Sequence, residues 1–114
     1  MGTFATTAKN TMLDALTIDR LQLHSGDPGG SGTSNALGSK VACVVNAASA
    51  GSRALNADVT VTGLTANQSV THVSFWNNNG GSPIFLGSDD LSGDVTANSA
   101  GSYTVQASGT SFSL

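Results

Sequence analysis

Three residues with chemical capability stand almost side by side in LHSGDPGG: His24, Ser25 and Asp27. A hydroxyl, an imidazole and a carboxylate are the parts of an acyl-transfer triad, which needs the imidazole held between the other two groups. The spacing argues against it. Neighbours on a strand point to opposite faces, so His24 and Ser25 cannot meet from one extended segment. No G-x-S-x-G elbow occurs in the chain. The glycines that follow look like a phosphate cradle, but GGSGTSNALGSK lacks the order G-x-x-x-x-G-K-[ST] and no helical pattern comes after it. The residues fit a turn better. Asp27 can form an Asx-turn, Pro28 presets the first turn position, and Gly29 and Gly30 permit positive φ. His24 then ends a strand, with its ring hydrogen-bonded to the turn. His24, Asp27, Pro28 and Gly29 are therefore expected to be structural, and no catalytic residue is assigned.

The remaining candidates are sparse. His24 and His72 are the only histidines and lie on separate strands, without a spacing that predicts a shared metal. Asp89, Asp90 and Asp94 in DDLSGD lack the spacing of a calcium loop and read as a solvated turn. Cys43, the single cysteine, sits in the apolar run VACVV, where an inert buried thiol is expected. No metal or cofactor site is expected. Trp76 precedes the polar tip NNNGGS and reads either as a cap on the core or as an aromatic anchor for a partner.

The elements that position these residues follow from hydrophobic period. Phe4, Ala8, Met12 and Leu16 recur at intervals of four, with Leu13 and Ala15 widening the stripe, which predicts a helix over about 4–16, capped by Thr3 or Thr6. Later segments alternate as strands do: Leu21 and Leu23; Val41, Cys43 and Val45; Val59 and Val61; Val73 and Phe75; Tyr103 and Val105. Turn signals separate them, among them Asn78-Asn79-Gly80-Gly81 and Ser92-Gly93-Asp94, and a long Gly/Ser-rich loop spans 26–38. The 114 residues make one domain, 1–114. Its expected class is mainly β: an antiparallel β-sandwich or flattened barrel with one short N-terminal α-helix. That helix packs across an open end or an edge, or extends onto a partner.

Composition narrows the function classes. Only 10% of residues are charged, the net charge is -3, and Lys9, Arg20, Lys40 and Arg53 are scattered. Nucleic-acid binding needs clustered cations, so no direct nucleic-acid partner is expected. No stretch has the length of a membrane span and no secretory signal is recognisable, so the expected site of synthesis is a reducing cytoplasm. The N-terminal MGTFAT matches a myristoylation pattern only formally. Ser, Thr, Asn and Gly replace the missing charge, and such a surface suits packing against copies of another subunit, because hydroxyls and amides cost less to desolvate than ions.

Several ordered motifs resemble one family. The run MLDAL-x6-LHSGDPGGSGTSN, residues 12–35, resembles the LHTGDPG segment of small virion structural proteins of tailed bacteriophages, with Ser25 in place of Thr. AASAGSRAL (47–55), VTHVSFW (70–76), GSPIFLGSDDL (81–91) and the C-terminal SYTVQASGTSFSL are similar to later segments of that family, in the same order. The departure is at 40–48, where family members carry an Arg and aromatic residues. The resemblance implies a non-enzymatic β-sandwich of the virion, made in the bacterial host cytoplasm: a capsid decoration or minor capsid protein, or alternatively a tail or tail-fibre-associated protein. It implies the major capsid protein (or tail proteins) as partner and a homo-oligomer. The residues chosen as partner contacts, for their place on a terminus or loop tips, are Phe4, Gly30, Ser31, Thr33, Trp76, Asn78 and Asn79. A carbohydrate-binding module is the alternative from another class; it requires several exposed aromatics on one face, for which Trp76 and Tyr103 are the candidates.

Overall fold

A computed structural model describes residues 4–91 and 95–113. The chain runs α1 (Thr6–Asp14), β1 (Arg20–His24), β2 (Ala36–Ala42), β3 (Ser52–Ala54), β4 (Val59–Val61), β5 (His72–Asn77), β6 (Ile84–Asp90), β7 (Tyr103–Val105) and β8 (Ser111–Ser113). Four strands form one antiparallel sheet in the order β2-β1-β5-β6, and two antiparallel pairs, β3-β8 and β4-β7, complete the fold. The architecture is mainly β, with the layering of a β-sandwich.

Alternation explains the layers. Leu21 and Leu23 of β1 lie opposite Phe75 and Val73 of β5 and turn inward together. They meet Val61 of β4, Tyr103 and Val105 of β7, and Leu55, Val70 and Ala97 from the connections. Phe112 of β8 closes the end, edge-on to Phe75 with ring centroids 4.6 Å apart. The opposite face of the same two strands carries Arg20, Gln22 and His24 against Trp76, Ser74 and His72. Gln22, His24, Ser74 and Trp76 are nonetheless buried. The central strands are thus covered on both sides, by apolar side chains on one and by polar ones on the other.

Both outer strands of the large sheet are irregular. Between Leu21↔Val41 and Leu23↔Leu37, Gln22 alone faces three residues of β2, centred on a bulge where Gly38 takes φ 66°. Gln22 Nε2 donates to the Gly38 carbonyl at 2.9 Å and fixes that bulge. In β6, Leu86 is the extra residue between Gly87, opposite Phe75, and Phe85, opposite Trp76.

Several boundaries differ from the sequence expectation. The helix is shorter than 4–16, because Ala5 is already extended (φ −63°, ψ 154°) and no side chain caps it; Thr3 lies outside the described residues. Of its expected apolar stripe only Leu13 is buried; Phe4 is 64% exposed, Leu16 40%, and Ala8 and Ala15 are exposed. Polar bonds set the helix rotation instead. Asn10 Oδ1 accepts the Gly51 amide at 2.9 Å, Asp14 Oδ1 accepts the Ala48 amide at 2.7 Å, and Arg53 Nη1 donates to the Leu13 and Leu16 carbonyls at 2.7 and 2.8 Å. The long loop occupies 25–35 rather than 26–38, since Ala36, Leu37 and Gly38 pair as strand. Likewise the alternating run Val41, Cys43 and Val45 is not one strand: β2 ends at Ala42, Cys43 is buried and Val44 is 65% exposed.

Candidate functional site

The loop 25–35 and the sheet face beneath it hold most of the residues singled out by sequence. His24 ends β1 and is fully buried. Its Nδ1 lies 2.8 Å from the Ser34 carbonyl oxygen and its Nε2 lies 2.7 Å from Ser74 Oγ. A carbonyl can only accept, so Nδ1 carries the proton and donates to Ser34. In the neutral ring Nε2 then accepts from the Ser74 hydroxyl. Ser74 Oγ in turn accepts from Trp76 Nε1 at 2.7 Å. One chain of hydrogen bonds therefore runs from the indole through a serine and an imidazole to the loop. Burial pushes the His24 pKa below its ordinary 6.5; the Ser34 carbonyl opposes this, and His72 and Lys40 add to it.

The loop itself is built as the turn residues dictate. Asp27 Oδ1 accepts the Gly29 amide at 2.9 Å, an Asx-turn, and Gly29 sits at φ 76°. Pro28 is fully buried, and its carbonyl accepts the Ser34 amide at 3.0 Å. Asn35, at φ 57°, donates from Nδ2 to the Asp27 carbonyl at 3.1 Å, and the Ser25 amide donates to the Asn35 carbonyl at 3.0 Å. Ser31 and Thr33 share a hydroxyl bond of 2.8 Å on the exposed tip. Gly32, at φ 73°, lies so close to the Phe85 ring that a Cβ would collide with it. Phe85 leans on Trp76 at 5.3 Å between centroids, and Lys40 Nζ sits 4.1 Å above the indole.

The structure thus separates the sequence trio. The His24 ring is buried in the sheet, Ser25 is exposed, and the Asp27 carboxylate is turned to its own loop. The four residues expected to be structural, His24, Asp27, Pro28 and Gly29, each hold the turn. His72 does not join His24 on a ligand: its Nε2 lies 2.9 Å from Asp90 Oδ1 and its Nδ1 lies 2.8 Å from Thr71 Oγ1. Asp89 and Asp90 belong to β6 rather than to a turn, and Asp94 lies outside the described residues. No group of three metal-ligating side chains occurs among the described residues.

Of the expected partner contacts, Phe4, Gly30, Ser31, Thr33 and Asn79 are exposed and Asn78 is half-buried. Trp76 is not a surface anchor. It is 5% exposed because its indole N–H is bonded to Ser74 and its ring is stacked under Lys40. Tyr103 is 6% exposed, so neither aromatic offers a sugar-binding platform. The tip at Asn78 is tied down, its amide donating to Asp19 Oδ1 at 2.8 Å. A separate apolar cleft of about 260 Å³ lies between α1, β6 and β8, lined chiefly by Leu13, Leu16, Ile18, Phe75, Leu86 and Phe112.

Sequence reasoning missed Ser74, Gln22 and Arg53. The signal for Ser74 was present in the alternation VSFW, which puts Ser74 and Trp76 on the face opposite Val73 and Phe75, where His24 also points. No family model matches the chain, and no curated protein or solved structure matches it.

Proposed function

We propose that the chain is a structural protein of a tailed-bacteriophage virion: a capsid decoration or minor capsid protein that binds the assembled shell and reinforces the junctions between capsomers. The observation that carries this reading is the use made of LHSGDPGG, the segment with the most specific resemblance to that family. Its histidine is fully buried and holds the loop rather than facing a cleft, and its carboxylate is spent on the turn. What the segment presents outward is a preformed tip of glycines and hydroxyls at Gly29, Gly30, Ser31 and Thr33. A tip already ordered by its own hydrogen bonds loses little entropy when it docks. Its contacts would be with the major capsid protein. Each copy needs only a modest interface when many act on one shell, and a homo-oligomer would suit a symmetric capsid position.

A reconstruction of the virion tests the proposal. Density for the chain at capsomer junctions, in hundreds of copies, supports it. A handful of copies on the tail would replace it with the tail-associated reading, and absence from purified virions would overturn both.

A further inference from the structure

We propose that the loop 25–35 is an acid-released cover over the polar face of the large sheet, with His24 as its latch. The loop is bonded mostly to itself: Ser34 to Pro28, Gly29 to Asp27, Asn35 to Asp27. It meets the sheet beneath through the His24 Nδ1–H donated to the Ser34 carbonyl and the contact of Gly32 with the Phe85 ring, and Pro28 is buried under it. A largely self-bonded unit can lift without coming apart.

The surroundings of the latch decide what a proton does. Along β1, Arg20 shares the face of His24 two pairs away; β5 places His72 directly opposite His24. Lys40 of β2 lies over the neighbouring Trp76 ring. The carboxylates on adjoining segments are committed elsewhere, Asp90 of β6 to His72 Nε2 and Asp27 of the loop to the Gly29 amide. A second proton on His24 would also reverse the Ser74 hydroxyl. That hydrogen would then have to find the Gln22 carbonyl at 3.4 Å, while Trp76 still donates to the same oxygen. Charge on the latch is thus desolvated, repelled by Lys40 and His72, and poorly bonded.

The sign follows. In the closed form burial depresses the His24 pKa below 6.5, and a lifted loop returns the ring to water and to an ordinary value. The open form binds the proton more tightly. Closure is at full strength above about pH 6.5 and weakens as pH falls toward the closed-state value, with the open population rising by up to about tenfold per pH unit.

The Trp76 indole proton is donated to Ser74 Oγ, the oxygen that His24 Nε2 also uses, so it reports the state of the latch in the full-length chain. The experiment measures its solvent exchange by NMR from pH 8 to 5, corrected for intrinsic pH dependence, beside the amides of Leu23 and Val73. Indole exchange is expected to accelerate below pH 6.5 while both core amides stay protected. His24→Gln should abolish the acceleration. His24→Phe, which removes the ionisable ring but keeps an aromatic side chain at that buried position, should likewise show no acid gain. Exchange that is flat with pH, indole and core amides lost together, or an acid gain that survives His24→Gln would each overturn the proposal.

Discussion

Replacing Ser74 by alanine tests the buried polar chain at its hub. Ser74 is fully buried, and one oxygen serves both Trp76 Nε1 and His24 Nε2, each at 2.7 Å. Alanine strands a donor and an acceptor together, both on buried side chains. Each stranded group costs about 1–3 kcal/mol, so the loss is about 2–6 kcal/mol, reduced where the indole relaxes toward the imidazole. A chain of 114 residues has about 6–17 kcal/mol in total at roughly 0.05–0.15 per residue. The substitution should therefore remove a large share of the stability. The assay is urea denaturation followed by far-UV circular dichroism, with the midpoint falling and the slope unchanged. A cycle with Trp76→Phe sharpens it: once the donor is gone, Ser74→Ala should cost about 1–3 kcal/mol less than in the parent chain. A loss under about 1 kcal/mol, or no coupling to Trp76, refutes the assignment of Ser74 as the hub.

Three further outcomes follow from the same geometry. Gly32→Ala puts a Cβ into the Phe85 ring at a left-handed φ of 73°, and should cost at least about 1–2 kcal/mol from the backbone alone, read as a lower melting temperature. Arg53→Ala removes donors to the Leu13, Leu16 and Asn46 carbonyls and should cost about 2–3 kcal/mol and expose α1 amides to exchange; Arg53→Lys should not restore them, since an ammonium lacks the guanidinium fork. The Cys43 thiol is pushed up to about 11 from 9.0, by burial first and by Asp19 next. Because the unfolded thiol ionises first, its stabilising contribution is complete below pH 9 and lost as pH rises toward 11, by up to about 1.4 kcal/mol per unit. Denaturation midpoints of the parent chain and Cys43→Ala across pH 8–11 measure the difference.

The inward face was legible because it obeys a period. Leu21, Leu23, Val73, Phe75, Val61, Tyr103 and Val105 alternate as strands require, and all are core. The Asx-turn at Asp27 was legible because its residues act locally. What escaped was set by distant partners. The apolar stripe read over 4–16 is buried only at Leu13, and the seating of α1 is set by Arg53, Asn10 and Asp14 through bonds spanning 34 to 41 positions. The strand ALGSKVA was hidden because the bulge at Gly38 puts its two halves out of phase. Trp76 left two readings open, a cap on the core or an anchor for a partner; it is buried, but nothing in its neighbourhood in sequence announces Lys40, Phe85 or Ser74 as its cover.

The two bulges have a colloidal consequence. A sheet with regular outer strands offers a template to any other chain, and proteins commonly blunt such edges with charge. This chain has little to spend, at 10% charged residues. Gly38 on one side and Leu86 on the other interrupt the regular register of the two outer strands of the large sheet. Strand-by-strand growth of one molecule onto the next is thereby obstructed by backbone shape rather than by repulsion, a barrier that added salt does not screen. At the large sheet, crowding at high local density then favours association through side-chain surfaces over strand addition.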